Sequence, residues 1–447
     1  MRDKFLWAGC LVYAVLFTWL GSIKYAVHRN LVDFGIFAQT AANAFGGFHN
    51  PIEGSHWAFH FSPILFLAGA LVALVRSPLA LVALQAVAGA LVAPPIYALV
   101  VRARGEVTRA RLAALVVWLY PPLAGLIFGD FHENGLAPAA VAWTLYAFDA
   151  GLLGLTLLGA LLAVAIKEDQ AIFLGIGGAI GAWRFRGTPR GRVAAAIALL
   201  GLGVLVLFFA YVQPHAAGAA VTSWQPERFY AWSAADAHAL FAGILARLGF
   251  LLLVFLPLLL LPLRSPMIVL AVAPLAEVLL SRMPTAYTIG THYAGAWIGY
   301  VLVAFAFALR DLAPARARAA LAGCIALSVL QFVVADPLHP GLNLRKVQSR
   351  DVALDRFLTT LPPGADVATQ EEAYTHLALY DPNARLMPES EAQAPRACFV
   401  LIDRDFPDSP RLQEYGAALA RLVEQRRYVL VRRSGGIELY RLAAGCR

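Results

Sequence analysis

The sequence predicts an all-α polytopic membrane protein of about eleven spans plus a re-entrant or interfacial helix, closed by a small carboxy-terminal α/β soluble domain. Three observations predict it: an apolar excess, arginines gathered in short breaks between apolar runs, and an abrupt change of composition near residue 336.

Of 447 residues, 60% are hydrophobic and only 14% charged, against roughly 45–50% and about 25% in soluble domains. A water-soluble fold of this composition would run out of polar surface, so lipid is the economical solvent. The net charge of +8 does not point to nucleic acid, because the arginines flank apolar runs and form no single face.

A span needs about 20 apolar residues, fewer where neighbouring helices shelter it. Candidate spans are 5–23, 79–101, 112–129, 137–150, 151–166, 170–183, 193–212, 247–263, 266–281, 293–309 and 318–335. The first lacks a convincing cleavage site and is expected to remain as a helix. The stretch 62–75 is short for crossing and fits the re-entrant or interfacial helix. Three breaks are arginine-rich: Arg102, Arg104, Arg109 and Arg111; Arg184, Arg186, Arg190 and Arg192; Arg310, Arg316 and Arg318. With the amino terminus inside, all three fall on the cytoplasmic face, as the positive-inside rule asks. The segments 24–61, 130–136, 213–246, 282–292 and the tail then fall outside a plasma or bacterial inner membrane.

These runs divide the chain into a transmembrane domain, 1–335, and an extracytoplasmic α/β domain, 336–447. In the tail, Val352–Leu361 and Leu412–Val423 read as helices and Ala397–Ile402 as a buried strand. Tyr428–Val431 and Ile437–Tyr440 flank a Gly435-Gly436 turn as a hairpin. Cys10 and Cys324 lie in apolar runs, where a buried thiol is the ordinary reading. Cys398 and Cys446 can pair if the tail lies outside the cytoplasm, although sequence alone does not fix their geometry.

Ionisable groups at span ends carry the chemical information. Asp33 sits three and four residues from Ile36 and Phe37, so a surface helix would hold its carboxylate beside an apolar face. It reads as a helix-capping carboxylate or as a catalytic one. The loop Asp130-Phe131-His132-Glu133-Asn134 offers ligands for a divalent cation, magnesium or manganese, or for a phosphate-borne sugar, in no specific metal spacing. A hydrated turn is the plainer alternative. Lys167-Glu168-Asp169 interrupts about 30 nearly uncharged residues. Exposed to lipid, three charges would cost on the order of 8–10 kcal/mol, so they must face a hydrated cavity, pair, or lie at the interface. His292 and Tyr293 stand at another span end. Trp224, Tyr230 and Trp232 read first as an interfacial aromatic belt, and Gln85 and Glu277 as polar groups satisfied by neighbouring helices.

Taken in order, Asp33-Phe34-Gly35-Ile36-Phe37-Ala38-Gln39, His60-Phe61-Ser62-Pro63-Ile64-Leu65, Gln85, Asp130-Phe131-His132, Lys167-Glu168-Asp169 and Thr291-His292-Tyr293 resemble a polytopic family of unknown function, domain of unknown function family 2079. That family is grouped with the GT-C glycosyltransferases. The resemblance implies a GT-C-like fold drawing a sugar from a polyprenyl-phosphate carrier, with an acidic residue in the first outer loop, where Asp33 stands. Many GT-C enzymes carry two adjacent acids there; here Phe34 follows. On this reading Asp33 is the catalytic base, His60, Lys167, Glu168, His292, Tyr293 and Gln39 bind substrate, and Asp130, His132 and Glu133 are candidate metal ligands. The acceptor would be a glycan, lipid or protein. A carrier or flippase for a lipid-linked glycan, or a non-catalytic envelope assembly or sensing protein, remains the alternative. An enzyme should gather Asp33, His60, Asp130, His132 and Lys167 around one outer cavity, whereas a carrier should show broken helices in paired repeats.

Overall fold

A computed structural model describes residues 2–217, 229–230, 238, 240–387, 397–406 and 410–446. Trp224 and Trp232 lie outside the described residues. The chain is mostly helical, with a five-stranded sheet in its carboxy-terminal part and a two-stranded antiparallel pair, His49–Asn50 with Gly54–Ser55.

Among the described residues, four helices are long and apolar enough to cross a bilayer: Lys4–Ala26, Leu79–Ala103, Pro189–Ala216 and Pro314–Ala335. A fifth crossing is formed if Val107–Trp118 and Pro121–Phe128, bent by 49°, are one broken span. Three of the four bury under a third of their most apolar window inside the protein. Val333 and Val334 are more than 70% exposed, which makes sense only if hydrocarbon is the outer solvent.

The other expected spans are helical but shorter. Ile298–Arg310 has 13 residues, about 20 Å at 1.5 Å per residue, against a hydrocarbon core of about 30 Å. Residues 137–166 form two helices because Gly151 adopts φ 75° and turns the chain after Ala150. The expected span 247–263 stops early: its helix is Ile244–Phe255, and Leu259 and Leu260 then adopt positive φ. Pro257 and Pro262, which have no amide hydrogen to offer a helix, explain the break. Residues 62–75 contain the short helix Leu65–Val75.

Two compact units emerge. The first is Met1–Trp19, Trp57–Leu65 and Val82–His339; the second is Leu20–His56, Phe66–Leu81 and Pro340–Arg447. The division differs from one cut near 336, since two amino-terminal stretches group with the carboxy-terminal part. Contacts so distant in sequence leave no local pattern to read.

The second unit holds a five-stranded sheet in the order Arg385–Leu386, Val367–Thr369, Phe399–Asp403, Ile437–Leu442, Tyr428–Ser434. The first three strands are parallel and the last two antiparallel, the last pair being the expected hairpin. Helix Pro410–Glu424 supplies Ala418, Leu419 and Leu422 to a core with Val400, Ile402 and Tyr428. Cys398 and Cys446 form a disulfide.

Candidate functional site

In the first unit, the helix Glu168–Arg184 starts at Lys167, with Glu168 and Asp169 in its first turn. Carboxylates suit this end, where unpaired amide hydrogens and the helix dipole favour negative charge. Glu168 is buried and tied to a different segment. Its Oε1 lies 2.8 Å from His60 Nδ1, and its Oε2 accepts the Phe61 amide hydrogen at 2.9 Å. Lys167 Nζ lies 3.8 Å from Asp169 Oδ2, too far for a hydrogen bond. Glu133, Glu168 and Glu277 also act electrostatically on this one ammonium.

The loop 129–136 is fastened by Gln85, which is 1% exposed. Its amide donates to the carbonyls of Leu126, Ile127 and Asp130, and its Oε1 accepts the His132 amide hydrogen at 3.1 Å. A side chain on Gly135 would collide with that same Gln85 oxygen. Replacing Gln85 with Leu should therefore lower stability by about 1–3 kcal/mol, since it strands buried backbone groups. A fall in the thermal midpoint of the purified protein would register the loss.

His132 Nδ1 accepts the Asn134 amide hydrogen at 3.2 Å and lies 2.9 Å from Glu133 Oε2. Its ring stacks on His292, centroids 4.0 Å apart, and His292 leans on Tyr293 at 4.1 Å. Burial pulls the His132 pKa down to about 4, with Glu133 working in the opposite sense. At His60 burial also pulls down, but Glu168 more than offsets it and the pKa ends above the usual imidazole value.

His60, His132, Lys167, His292 and Tyr293 line one cavity of about 140 Å³, together with Tyr230 and Glu277. That is room for several water-sized groups. A larger cavity of about 380 Å³ in the same unit has a mostly apolar lining, including Leu145, Phe148, Leu174 and Ile197, with Asp149, Arg184 and Arg190 as its charged groups. The smaller cavity is the one lined by the sequence-predicted residues.

The structure thus brings together five of the expected site residues, His60, His132, Lys167, His292 and Tyr293, with Glu168 bonded to His60; neither Asp33 nor Asp130 lines this cavity. It adds Glu277, whose signal was a lone carboxylate inside the apolar run 266–281, and Tyr230, read from sequence as belt. Asp130 does not complete a metal set with His132 and Glu133: the three lie outside the close grouping of ligand atoms found among the described residues. The loop is instead wound into a tight turn, Glu133–Leu136, that His132 caps.

Asp33 and Gln39 belong to the second unit. Asp33 is half-buried in the first turn of helix Val32–Ala42. Gln39 is fully buried, and its amide is used up internally. Nε2 donates to the carbonyls of Asp381 and Ala384, and Oε1 accepts the Tyr374 hydroxyl at 2.6 Å. These bonds correct its expected role: Gln39 holds the carboxy-terminal part to its helix and has no polar group left for a substrate.

The sequence matches the family described as Predicted membrane protein (DUF2079) over residues 28–439. No curated protein matches it. Among solved structures it is similar to ArnT from Cupriavidus metallidurans bound to undecaprenyl phosphate, at TM-score 0.60 and 13% identity, over 96% of this chain and 97% of that one. The same protein in its apo state gives TM-score 0.57 at 13% identity, over 98% and 99%. At this identity the likeness is one of fold.

Proposed function

The chain belongs to the DUF2079 family of predicted membrane proteins, and on that premise we propose that it is a GT-C-like glycosyltransferase moving a sugar from a polyprenyl-phosphate carrier to an extracytoplasmic acceptor. One observation carries the reading. The Lys167 ammonium and the His60 imidazole line a buried cavity at the amino-terminal end of a helix, in a fold similar to that of a protein bound to undecaprenyl phosphate. Such a site suits a phosphate, which is stabilised by cations and by free amide hydrogens at a helix start.

In the reaction the acceptor oxygen attacks the anomeric carbon. The bond from that carbon to the phosphate oxygen breaks, and polyprenyl phosphate leaves with the electron pair. Lys167 neutralises the charge growing on the leaving phosphate. Asp33 takes the acceptor's proton, the role the family resemblance gives it. The cavity is assigned to the outer face. The arginine-rich loops support that orientation, and the Cys398–Cys446 disulfide supports an extracytoplasmic tail, since such bonds persist outside the cytoplasm.

Mass spectrometry of polyprenyl-phosphate sugars and surface glycans in a deletion strain tests the proposal. Loss of one glycan with accumulation of its lipid-linked donor is expected; unchanged profiles of both contradict it. The reaction should also weaken as pH rises. His60 is charged below its raised pKa and loses its proton above it, so carrier affinity should fall through and above the usual imidazole range. In His60→Gln that part of the pH profile should be flat.

A further inference from the structure

Within the second unit, three potential ligands from distant parts of the sequence meet: His28, just after the first helix, and Asp355 and His376 in the carboxy-terminal part. His28 Nε2 lies 3.1 Å from Asp355 Oδ1, and His376 Nδ1 lies 4.0 Å from the same oxygen. The imidazoles lie face to face, centroids 4.1 Å apart. Zinc bonds of about 2.0–2.2 Å in a tetrahedral arrangement put ligand atoms about 3.3–3.5 Å apart, and the observed separations bracket that spacing.

The surroundings fit ligands better than they fit a simple ion pair. The outer nitrogen of His376, Nε2, faces the Tyr25 carbonyl at 3.1 Å, which holds the proton there and leaves the Nδ1 lone pair toward Asp355. The outer nitrogen of His28, Nδ1, is buried, has no hydrogen-bond partner, and lies 3.8 Å from Asp351 Oδ1. Asp351 is itself clamped by Arg345 through two bonds of 2.6 Å and by the Gln348 amide at 2.7 Å. The carbonyl behind His376 is a usual outer support of a metal-binding imidazole. His28 also adopts φ 55°, a conformation that costs a non-glycine residue energy and is kept where the surroundings enforce it. Asp355 is 53% exposed, which gives an ion a route from water.

We infer that His28, Asp355 and His376 form a site for a divalent transition-metal ion of the zinc class. Two imidazoles and one carboxylate leave a fourth position for water and disfavour magnesium and calcium, which prefer all-oxygen sites. The site joins the segment after the first helix to the carboxy-terminal part.

The test uses the full chain in nanodiscs, stripped with a chelator and then titrated with zinc alone. One tightly retained zinc per chain is expected by elemental analysis, with a zinc-dependent rise in thermal midpoint. Asp355→Asn, at a half-exposed position that should not disturb folding, should weaken zinc by about tenfold or more. His376→Gln should do the same and remove one imidazole from the zinc X-ray absorption spectrum. His339→Ala, at an exposed histidine, should change neither. No retained zinc in the wild type, or retention unaffected by both Asp355→Asn and His376→Gln, would overturn the inference.

Discussion

Replacing Lys167 with methionine should abolish glycan production when the variant is returned to a deletion strain, while Lys167→Arg keeps a measurable fraction. The lining of the cavity holds the Lys167 ammonium and one carboxylate, Glu277, with further carboxylates behind it. Glu133, Glu168, Asp169 and Glu277 all bear on this one ammonium. A hydrogen bond from a charged donor to phosphate contributes about 1.5–3 kcal/mol, or roughly 10- to 150-fold in affinity. Without the ammonium, the remaining carboxylates also repel the phosphate. Removing one partner of a buried ion pair can itself cost about 3–5 kcal/mol of stability, which is why arginine is the informative companion. It keeps the charge while altering the reach, so folded protein with reduced activity separates binding from collapse. Wild-type glycan levels in Lys167→Met would remove Lys167 from the site.

Asp33→Asn should lower turnover by about 10²- to 10⁴-fold, the usual range for loss of a general base, and leave carrier binding unchanged. The substitution is nearly isosteric. Asp33 lies in a helix's first turn, where losing a carboxylate costs only about 0.3–1 kcal/mol. Expression and thermal midpoint should therefore stay close to wild type. Single-turnover assays with lipid-linked donor would read the chemical step directly. Full activity in this variant would take Asp33 out of the mechanism and leave the base to be sought elsewhere.

What sequence could reveal depended on whether the cause was local. Lys167-Glu168-Asp169 stood out because charge is costly in an apolar run, and those residues do meet His60 and a cavity. The hairpin of the tail was readable from alternation around Gly435-Gly436. Hydropathy alone overstated individual crossings. It registers the apolar character of 247–263 but underweights two prolines and the positive φ of Leu259 and Leu260. Gln39 took a substrate role from the family resemblance alone, yet its partners Tyr374, Asp381 and Ala384 lie more than 300 residues away. Glu277 was read as merely satisfied by its neighbours because its companions, Lys167 and His60, come from other segments. The grouping of Leu20–His56 with the tail is long-range in the same way.

The most direct measurement is native mass spectrometry of the full chain in nanodiscs with undecaprenyl phosphate or undecaprenol. If the ionic cavity receives a carrier phosphate, the wild type should hold one undecaprenyl phosphate and little undecaprenol, and Lys167→Met should lose that preference. Equal binding of the two lipids by the wild type, or an undiminished phosphate preference in the variant, would contradict the account.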